Sequence, residues 1–326
     1  MLQQETISEI VEKTLRTLAL PDEPRQLYEP VGYMFSIGGK HLRPRLCLTT
    51  YGLFHDSVPQ EVVWPALALE TFHTFTLIHD DVMDRSDTRR GHPTVHCRWD
   101  GNTAILSGDL MSILAYRYLA MGPADKLPAM LKLFTDTAVA VCEGQQRDMD
   151  FERLPFITMD DYLTMIGQKT GVLLAASTCM GGILAGATDA QCKALYDFGF
   201  RTGLAFQIED DYLDCFGDAR TFGKPIGGDI AENKKSWLLV EALRRAVSEA
   251  DKKRIAEILA LGDDRRSEKI AAMTQLYIDL GVREAADAAI LECHRDAIAA
   301  LEQAGFNEEQ VACLRSLAEK LLHREK

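Results

Sequence analysis

The chain carries the same acidic motif twice, and each copy lies in an apolar segment with helical periodicity. The first copy reads Asp-Asp-Val-Met-Asp from Asp80 to Asp84, and the second reads Asp-Asp-Tyr-Leu-Asp from Asp210 to Asp214. Residues four apart share a face of a helix, so the first and last aspartates of each copy point the same way. So many carboxylates inside a helical bundle repel one another unless cations lie between them. Oxygen ligands of this kind suit Mg²⁺, so the repeated motif predicts a site where magnesium holds a pyrophosphate.

Composition limits the classes of protein and of partner that fit this chain. It has 326 residues, and 47% of them are hydrophobic, which is enough for a large core. Its net charge of −13 argues against nucleic acid and against an anionic membrane surface as partners. An acidic protein that binds an anionic diphosphate must collect positive charge locally, from metal ions or from clustered Lys and Arg.

The cysteines and the uncharged segments indicate where the protein is found. The eight cysteines are scattered without a Cys-x-x-Cys pair or a zinc spacing, which is typical of reduced thiols in a cytoplasmic protein. The N-terminal residues lack the basic and apolar regions of a secretory signal. Residues 171–188 are uncharged but contain four glycines, so we expect a buried helix there and no stable membrane insertion.

Apolar residues recur at three- and four-residue spacing along most of the chain, which predicts helices. Convincing strand alternation is missing, and no Pro- or Gly-rich linker divides the sequence. We therefore predict a single all-α domain over residues 1–326. Pro65 is expected in the first turn of a helix that ends at Met83. Lys169-Thr170-Gly171 is expected to end one helix and open another.

Basic motifs accompany both acidic ones. In the segment GGKHLRP, glycines precede a helix and Lys40 and Arg43 lie three apart, so backbone amides and two cations can hold an anion. The tandem Arg89-Arg90 follows the first acidic motif, and two guanidiniums near a magnesium cluster suit two diphosphates. A glycine-rich loop, FGKPIGGD, follows the second acidic motif. It matches neither the P-loop pattern nor a dinucleotide-binding glycine motif.

The ordered set of motifs resembles the trans-isoprenyl diphosphate synthases, also called polyprenyl synthetases. In chain order the motifs read GGKHLRP, HTFTLIHDDVMD, RRG, GQQRD, KTG, FQIEDDYLD and GKPIGGDIAENKKSW, and the resemblance extends from about Leu27 to the end of the chain. It implies a bundle of antiparallel helices around a central cavity, the isoprenoid synthase fold, and a homodimer. It also implies an enzyme that joins isopentenyl diphosphate to an allylic diphosphate, head to tail, and releases pyrophosphate.

The resemblance implies a role for each motif residue. The pocket for isopentenyl diphosphate is expected to contain Lys40, Arg43, His73 and Arg90. Three Mg²⁺ ions, with substrate bound, are expected on Asp80, Asp81, Asp84, Asp210, Asp211 and Asp214. Contacts to the allylic diphosphate are expected from Arg89, Lys169, Thr170, Gln207, Lys224 and Lys234. Direct participation in catalysis is expected of Asp80, Asp84, Arg89, Lys169, Asp210 and Lys224.

The expected chemistry needs no nucleophile from the protein. When the allylic carbon separates from its diphosphate, the leaving group gains negative charge, so Mg²⁺ and Lys or Arg stabilise the transition state more than the ground state. The allylic cation forms in a cavity that excludes water and is attacked by the double bond of isopentenyl diphosphate. The departed pyrophosphate is the expected base for the final proton, since the sequence offers no dedicated Asp–His pair.

Three other interpretations fit parts of the sequence. A terpene cyclase would share the first acidic motif but carry an Asn/Asp–Ser/Thr–Glu triad in place of the second, and it would lack Lys40 and Arg43. A non-catalytic subunit of a heteromeric synthase would normally have lost aspartates from one motif, and none is lost here. A di-iron bundle would use the Glu-x-x-His pair Glu70 and His73, but it needs a second such pair, which the sequence lacks.

Product length is expected to depend on the residues just before the first acidic motif. In the family, a bulky side chain four or five residues before the motif stops the growing chain, and these positions are Thr76 and Phe75 here. Five helical residues span about 7.5 Å, so Phe75 is expected a little over one turn below the metals, with Phe72 deeper. An aromatic residue there resembles short-chain geranylgeranyl diphosphate synthases. The alternatives are a farnesyl diphosphate synthase and an ordinary core role for Phe75.

Overall fold

The computed structural model describes residues 2–217 and 226–322, and this part of the chain is almost entirely helical. Its only strands are two-residue segments, β1 (Thr88–Arg89) and β2 (His92–Pro93). They pair antiparallel in a hairpin, with Thr88 opposite Pro93 and Arg89 opposite His92. The predicted all-α class is confirmed.

The chain divides into two compact units. Unit 1 consists of Met1–Thr135 and Ala176–Lys193, and unit 2 consists of Asp136–Ala175 and Ala194–Lys326. A single domain over residues 1–326 stays a prediction. The helices that lie wholly in unit 1 are α1 (Gln4–Arg16), α2 (Arg25–Ser36), α3 (Leu42–Tyr51), α4 (Gln60–Met83), α5 (Val95–Arg98) and α6 (Gly101–Leu119).

The remaining helices lie in unit 2 or have residues in both units. Those with residues in both are α7 (Leu127–Glu152), α9 (Val172–Ala185) and α10 (Asp189–Phe216). Those wholly in unit 2 are α8 (Met159–Ile166), α11 (Gly228–Ala231), α12 (Trp237–Arg245), α13 (Glu249–Leu259), α14 (Arg266–Asp279), α15 (Val282–Gln303) and α16 (Glu308–Leu322). Unit 2 also contains a π-helical turn (Gly167–Gly171) and a 3₁₀ turn (Asp263–Arg265).

In unit 1, α4 packs along α6 and carries the first acidic motif at its C-terminal end. The apolar side chains of Val31, Ile78 and Met111, on α2, α4 and α6, belong to one buried cluster. Close approach of α4 and α6 requires Gly108, because a β-carbon there would lie 2.3 Å from His79 Nε2. This packing holds the end of α4, and therefore the acidic motif, in a defined place.

In unit 2, large aromatic side chains surround the second acidic motif. Tyr162, Trp237 and Tyr277 are all at most 5% exposed and belong to one core cluster. The helices that carry Tyr162 and Trp237 begin with hydrogen-bonded caps, because Thr158 accepts from the backbone N–H of Asp161 and Ser236 accepts from that of Leu239. The caps and the aromatic packing place these two residues accurately.

Helix α4 begins earlier than the sequence predicts. Its first residue is Gln60, so Pro65 lies inside the helix rather than in its first turn, and that expectation is wrong. The extra turn buries Val62 and Val63, which are 2% and 4% exposed. Burial of these two side chains offsets the one backbone hydrogen bond that a proline cannot donate.

The segment Lys169-Thr170-Gly171 lies between two helices, as expected. α8 ends at Ile166 and α9 begins at Val172, and the backbone between them stays helical as the π-helical turn. The turn packs closely against α10: a β-carbon on Gly203 would lie 2.7 Å from the Cα atom of Gly171, and one on Gly167 would lie 2.8 Å from the Phe200 ring. Single π-helical turns are frequent at functional sites.

The uncharged segment 171–188 forms α9 and the turn that follows it. Leu174 and Met180 within it are 0% exposed, as expected of a buried helix. Across residues 2–217 and 226–322, every helix is too short or too polar to span a bilayer.

Candidate active site

The first acidic motif lies at the end of α4. Asp84 is the residue that caps the helix, and its backbone N–H donates to the Asp80 carbonyl at 2.8 Å. Asp80 is half-buried and Asp84 is exposed. Because the two residues are one helical turn apart, their carboxylates lie on the same side of the helix end.

The middle aspartate of this motif holds an arginine. Asp81 is 1% exposed, and it accepts hydrogen bonds from Arg89 Nε at 2.8 and 2.9 Å and from Arg89 Nη2 at 2.7 Å. Arg89 lies on β1, so the short hairpin brings it back to the end of α4. The structure thus brings together two residues for which metal binding and allylic diphosphate binding are separately predicted. The bidentate pair fixes the guanidinium in place.

A cluster of cations lies at the start of α3. Arg90 donates from Nη1 to the Gly38 carbonyl, and a β-carbon on Gly39 would lie 2.5 Å from the same nitrogen. Burial lowers the pKa of Arg43 to about 10, although nearby Glu70 opposes the shift. Burial also lowers the pKa of Arg90. The absence of a side chain at Gly39 lets the Arg90 guanidinium lie directly against the loop.

His73 lies beside these cations. Burial and then the charge of Arg43 and Arg90 hold its pKa well below the usual value, so His73 is neutral at physiological pH. Lys40 is exposed on the loop before α3. The four residues predicted to bind isopentenyl diphosphate thus share one electropositive region of unit 1.

The second acidic motif lies in the last two turns of α10, which continues for two residues beyond it to Phe216. Asp211 accepts hydrogen bonds from Tyr162 Oη at 2.7 Å, from the Trp237 backbone N–H at 2.7 Å and from Gln207 Nε2 at 3.2 Å. It is 6% exposed, and burial together with the charge of Asp229 raises its pKa to about 7. Asp210 is half-buried on the same helix.

Asp214 is joined to the start of α11. It accepts from the Asp229 backbone N–H at 3.0 Å, and its own carbonyl accepts from the Gly227 N–H. Asp229 is the acidic residue that sequence reasoning missed: burial and Asp214 raise its pKa to about 6, and Lys234 Nζ lies 3.6 Å from its carboxylate. Its position in the glycine-rich loop beside Lys234 was the available signal.

The π-helical turn joins three of the predicted contacts to the allylic diphosphate. Thr170 Oγ1 donates to Gln207 Oε1 at 3.3 Å, and Gln207 in turn donates to Asp211. Lys169 Nζ donates to Asp148 at 2.6 Å. Close packing at this turn needs Gly144, since a β-carbon there would lie 2.4 Å from the Lys169 backbone nitrogen. Lys224 lies outside the described residues.

The residues predicted to set chain length lie on α4 before the first motif. Phe72 is 3% exposed, and its ring centroid lies 5.4 Å from those of Phe75 and Phe134. Phe75 is half-buried, with its ring centroid 4.8 Å from that of His79, and Thr76 Oγ1 donates to a backbone carbonyl. The order along the helix agrees with Phe72 lying deeper, and the role of all three stays a prediction.

The donor set fits Mg²⁺ held partly by substrate. In the described residues, no group of three or more His, Cys, Asp or Glu could hold a metal ion. Mg²⁺ is usually bound through one or two carboxylates together with waters and substrate phosphates, so such a group is not required. Asp81, Asp211 and Asp214 accept hydrogen bonds from the protein. Magnesium binding by the six aspartates of the two motifs stays a prediction.

Comparison with known proteins shows the family. The polyprenyl synthetase model matches residues 24–277. A short chain isoprenyl diphosphate synthase from Methanothermobacter thermautotrophicus is 37% identical over 319 residues, which is 98% of this chain and 96% of the relative. A geranylfarnesyl diphosphate synthase from Natronomonas pharaonis is 34% identical over 290 residues, or 84% and 83% of the two chains. A crystal structure of a geranylgeranyl pyrophosphate synthase has a TM-score of 0.94 and 37% identity, with both chains covered completely.

The chain belongs to the polyprenyl synthetase family, and the predicted family is confirmed. It is therefore a trans-prenyltransferase.

Proposed function

We propose that this enzyme condenses isopentenyl diphosphate with an allylic diphosphate and releases pyrophosphate, with geranylgeranyl diphosphate as the main product. The observation that carries the proposal is the support given to both acidic motifs. Arg89 fixes Asp81 in the first, and Tyr162 and Trp237 fix Asp211 in the second. A non-catalytic relative would have no need to hold both motifs in this way.

The reaction replaces an allylic C–O bond with a new C–C bond and needs no covalent enzyme intermediate. The allylic C–O bond breaks with both electrons leaving on the diphosphate. The double bond of isopentenyl diphosphate attacks the resulting cation, and one proton leaves the new chain for the released pyrophosphate. Mg²⁺ on the aspartates would neutralise the charge that the departing diphosphate gains.

Each substrate has its own set of binding residues in the proposal. Lys40, Arg43 and Arg90 bind the diphosphate of isopentenyl diphosphate, and neutral His73 donates one hydrogen bond there. Lys169, Thr170 and Gln207, joined at the π-helical turn, bind the allylic diphosphate with Arg89, Lys224 and Lys234. The residues proposed for isopentenyl diphosphate all lie in unit 1. The two arginines among them can each bind a diphosphate through two nitrogens, which a lysine cannot do.

The proposed product follows from Phe75 and from the relatives. The ring lies five residues before Asp80 and is half-buried, so one side of it can face a growing chain. The products after which geranylgeranyl and geranylfarnesyl diphosphate synthases are named differ by one isoprene unit, and both relatives support a chain longer than farnesyl. Farnesyl diphosphate is the alternative product.

We also propose a homodimer that works in the cytoplasm. Leu106 and Ile113 on α6 are 59% and 61% exposed and lie seven residues apart on one face, with Ile105 beside them at 46%. An apolar stripe of this kind suits a helix that packs against a second copy. All eight cysteines are free thiols, which agrees with a reducing compartment.

Product chromatography tests the proposed function directly. The purified protein is incubated with labelled isopentenyl diphosphate, Mg²⁺ and dimethylallyl, geranyl or farnesyl diphosphate in turn, and the dephosphorylated products are separated. We expect a C20 alcohol as the main product from each primer. A C15 product that is not extended supports the farnesyl alternative. Absence of any condensation with all three primers overturns the proposal.

A further inference from the structure

Glu70 is a buried carboxylate that no proposed role has used. It lies on α4, one turn before His73, and is 2% exposed. Its Oε1 lies 2.9 Å from His41 Nδ1, and its Oε2 is buried without a hydrogen-bond partner among the residues the structure describes. A buried carboxylate is costly unless nearby charge or hydrogen bonds compensate it. Glu70 therefore needs an explanation in terms of its surroundings.

The surroundings are the cations of the proposed isopentenyl diphosphate site. The charge of Glu70 raises the pKa of both Arg43 and Arg90, against the lowering effect of burial. In residues 2–217 and 226–322, its one ion-pair contact is His41, so neither guanidinium is captured by it. Arg43 Nε is likewise buried without a partner there. Asp81 differs, because it binds Arg89 through two nitrogens.

His41 connects this carboxylate to the loop before α3. Its φ is 43°, in the left-handed region that side chains with a β-carbon rarely adopt. Gly38 and Gly39 in the same loop also have positive φ, at 74° and 154°. The loop carries Lys40 and leads directly into Arg43. The hydrogen bond to Glu70, together with that from Arg90 to the Gly38 carbonyl, thus holds a loop in which His41 adopts a disfavoured backbone conformation.

We propose that Glu70 and His41 form a positioning pair for isopentenyl diphosphate. The Glu70 charge lets Arg43 and Arg90 stay close together before the substrate arrives, without occupying either guanidinium. The hydrogen bond to His41 holds the loop in the conformation that presents Lys40. Neither residue touches the reacting atoms. The inference rests on the proposed function and names two further residues that set affinity for one of its two substrates.

Two substitutions separate the charge from the hydrogen bond. Glu70→Gln keeps an acceptor for His41 but removes the charge. His41→Gly removes the hydrogen bond and keeps a backbone that adopts positive φ freely. Each is expected to raise the KM and the calorimetric Kd for isopentenyl diphosphate at least about tenfold, or ~1.4 kcal/mol. The KM for the allylic diphosphate should stay within about twofold, because in the described part of the chain Glu70 and His41 form hydrogen bonds or ion pairs with none of the residues proposed to bind that substrate.

Glu241→Gln is the matched control. Glu241 is also a buried glutamate, 3% exposed, but it pairs with Arg244 and Arg245 on α12 in unit 2. Its substitution should lower the Tm and leave the KM for isopentenyl diphosphate unchanged. If Glu70→Gln fails to fold, His41→Gly still tests the positioning pair through its hydrogen bond.

The outcomes distinguish this inference from the proposed function. Selective loss of affinity for isopentenyl diphosphate supports the positioning pair. Unchanged affinity in a folded variant overturns it, and so do equal rises in KM for both substrates, which indicate general damage. A wild-type protein that neither binds isopentenyl diphosphate nor condenses it overturns the proposed function itself, whatever the variants do.

Discussion

The two acidic motifs have the same pattern but are held by different partners. In the first, the middle aspartate, Asp81, forms a bidentate ion pair with Arg89. In the second, the middle aspartate, Asp211, accepts from the neutral donors of Tyr162 and Trp237. Both motifs lie near the C-terminal end of a helix, with Asp84 as the cap residue of α4 and Asp214 still inside α10.

The difference changes the electrostatics of each site. A guanidinium favours the charged form of its carboxylate, whereas neutral donors only partly offset the cost of burial. Burial and Asp229 accordingly raise the pKa of Asp211 to about 7. Asp229 shows the same effect, with a pKa of about 6. The acidic residues around the second motif therefore gain more from an arriving cation, while the first motif is already partly neutralised by the protein.

The largest expected effect comes from removing the outer aspartates. Asp80→Ala and Asp210→Ala should each lower turnover at least about a hundredfold, because each removes a ligand that helps neutralise the leaving group. The Tm of the metal-free protein should hardly fall, since one repelling charge is lost. Asp264→Ala, at an exposed position in the 3₁₀ turn, is the control. Near wild-type turnover in either test variant would contradict the magnesium assignment.

The residues five positions before the two motifs also differ in size, and one substitution removes that difference. Phe75 precedes the first motif by five residues, and Ala205 stands at the same distance before the second. Phe75→Ala should open space where a growing chain now stops. Condensation should continue because the metal and diphosphate residues are untouched, so the products should lengthen by one or more isoprene units. Loss of the ring should cost less than the ~3–5 kcal/mol typical of a fully buried Phe. Chromatography that shows an unchanged product at good activity removes the basis for the chain-length prediction.

The middle aspartates should respond differently to loss of charge. Asp81→Asn leaves Arg89 without its ion pair and should cost about 1–3 kcal/mol of unfolding free energy, reduced because that guanidinium is partly exposed. Asp211→Asn keeps an acceptor for Tyr162 and Trp237 and should cost less than ~1 kcal/mol at pH 7. Urea unfolding of the metal-free proteins measures both. Equal losses of unfolding free energy in the two variants would contradict the expected difference between a charged partner of Asp81 and neutral partners of Asp211.

The free energy of unfolding should also depend on pH in opposite ways in the two regions. Because the pKa of His73 is lowered in the folded chain, the unfolded chain binds this proton at a higher pH. The free energy of unfolding therefore falls as pH falls below about 6.5. Because the pKa of Asp211 is raised in the folded chain, the folded chain keeps this proton at pH values where the unfolded chain has lost it. The free energy of unfolding therefore falls as pH rises from about 4 to about 7.

Two substitutions check these signs in the metal-free protein. His73→Asn should flatten the dependence of Tm on pH below about 6.5, and Asp211→Asn should flatten it between about 4 and 7. Thermal unfolding across this range measures both slopes. If neither variant changes its slope, the two groups do not titrate as their surroundings imply.

The sequence predicts the helical class, the family and the acidic motifs, because each rests on local periodicity or on residues in a fixed order. The partners of the motif residues could not be predicted in the same way. Tyr162 meets Asp211 across 49 residues, and His41 meets Glu70 across 29. Such contacts depend on how helices pack, and one sequence does not contain that information.

Local differences from the prediction have a similar cause. The expected start of α4 at Pro65 relied on the usual place of proline in helices, but burial of Val62 and Val63 extends the helix by five residues. The π-helical turn at Lys169 arises from close packing between glycines, which periodicity alone does not reveal. In both places tertiary contacts determine the backbone conformation.

Magnesium-dependent release of pyrophosphate tests the central claim most directly. The metal-free protein is mixed with isopentenyl diphosphate and geranyl diphosphate, and pyrophosphate is measured before and after Mg²⁺ is added. We predict almost no release at first, rapid release once Mg²⁺ is present, and none when either substrate is omitted. Equal release with and without Mg²⁺, or no release under any condition, would contradict the assignment of both acidic motifs to a magnesium-dependent prenyl transfer.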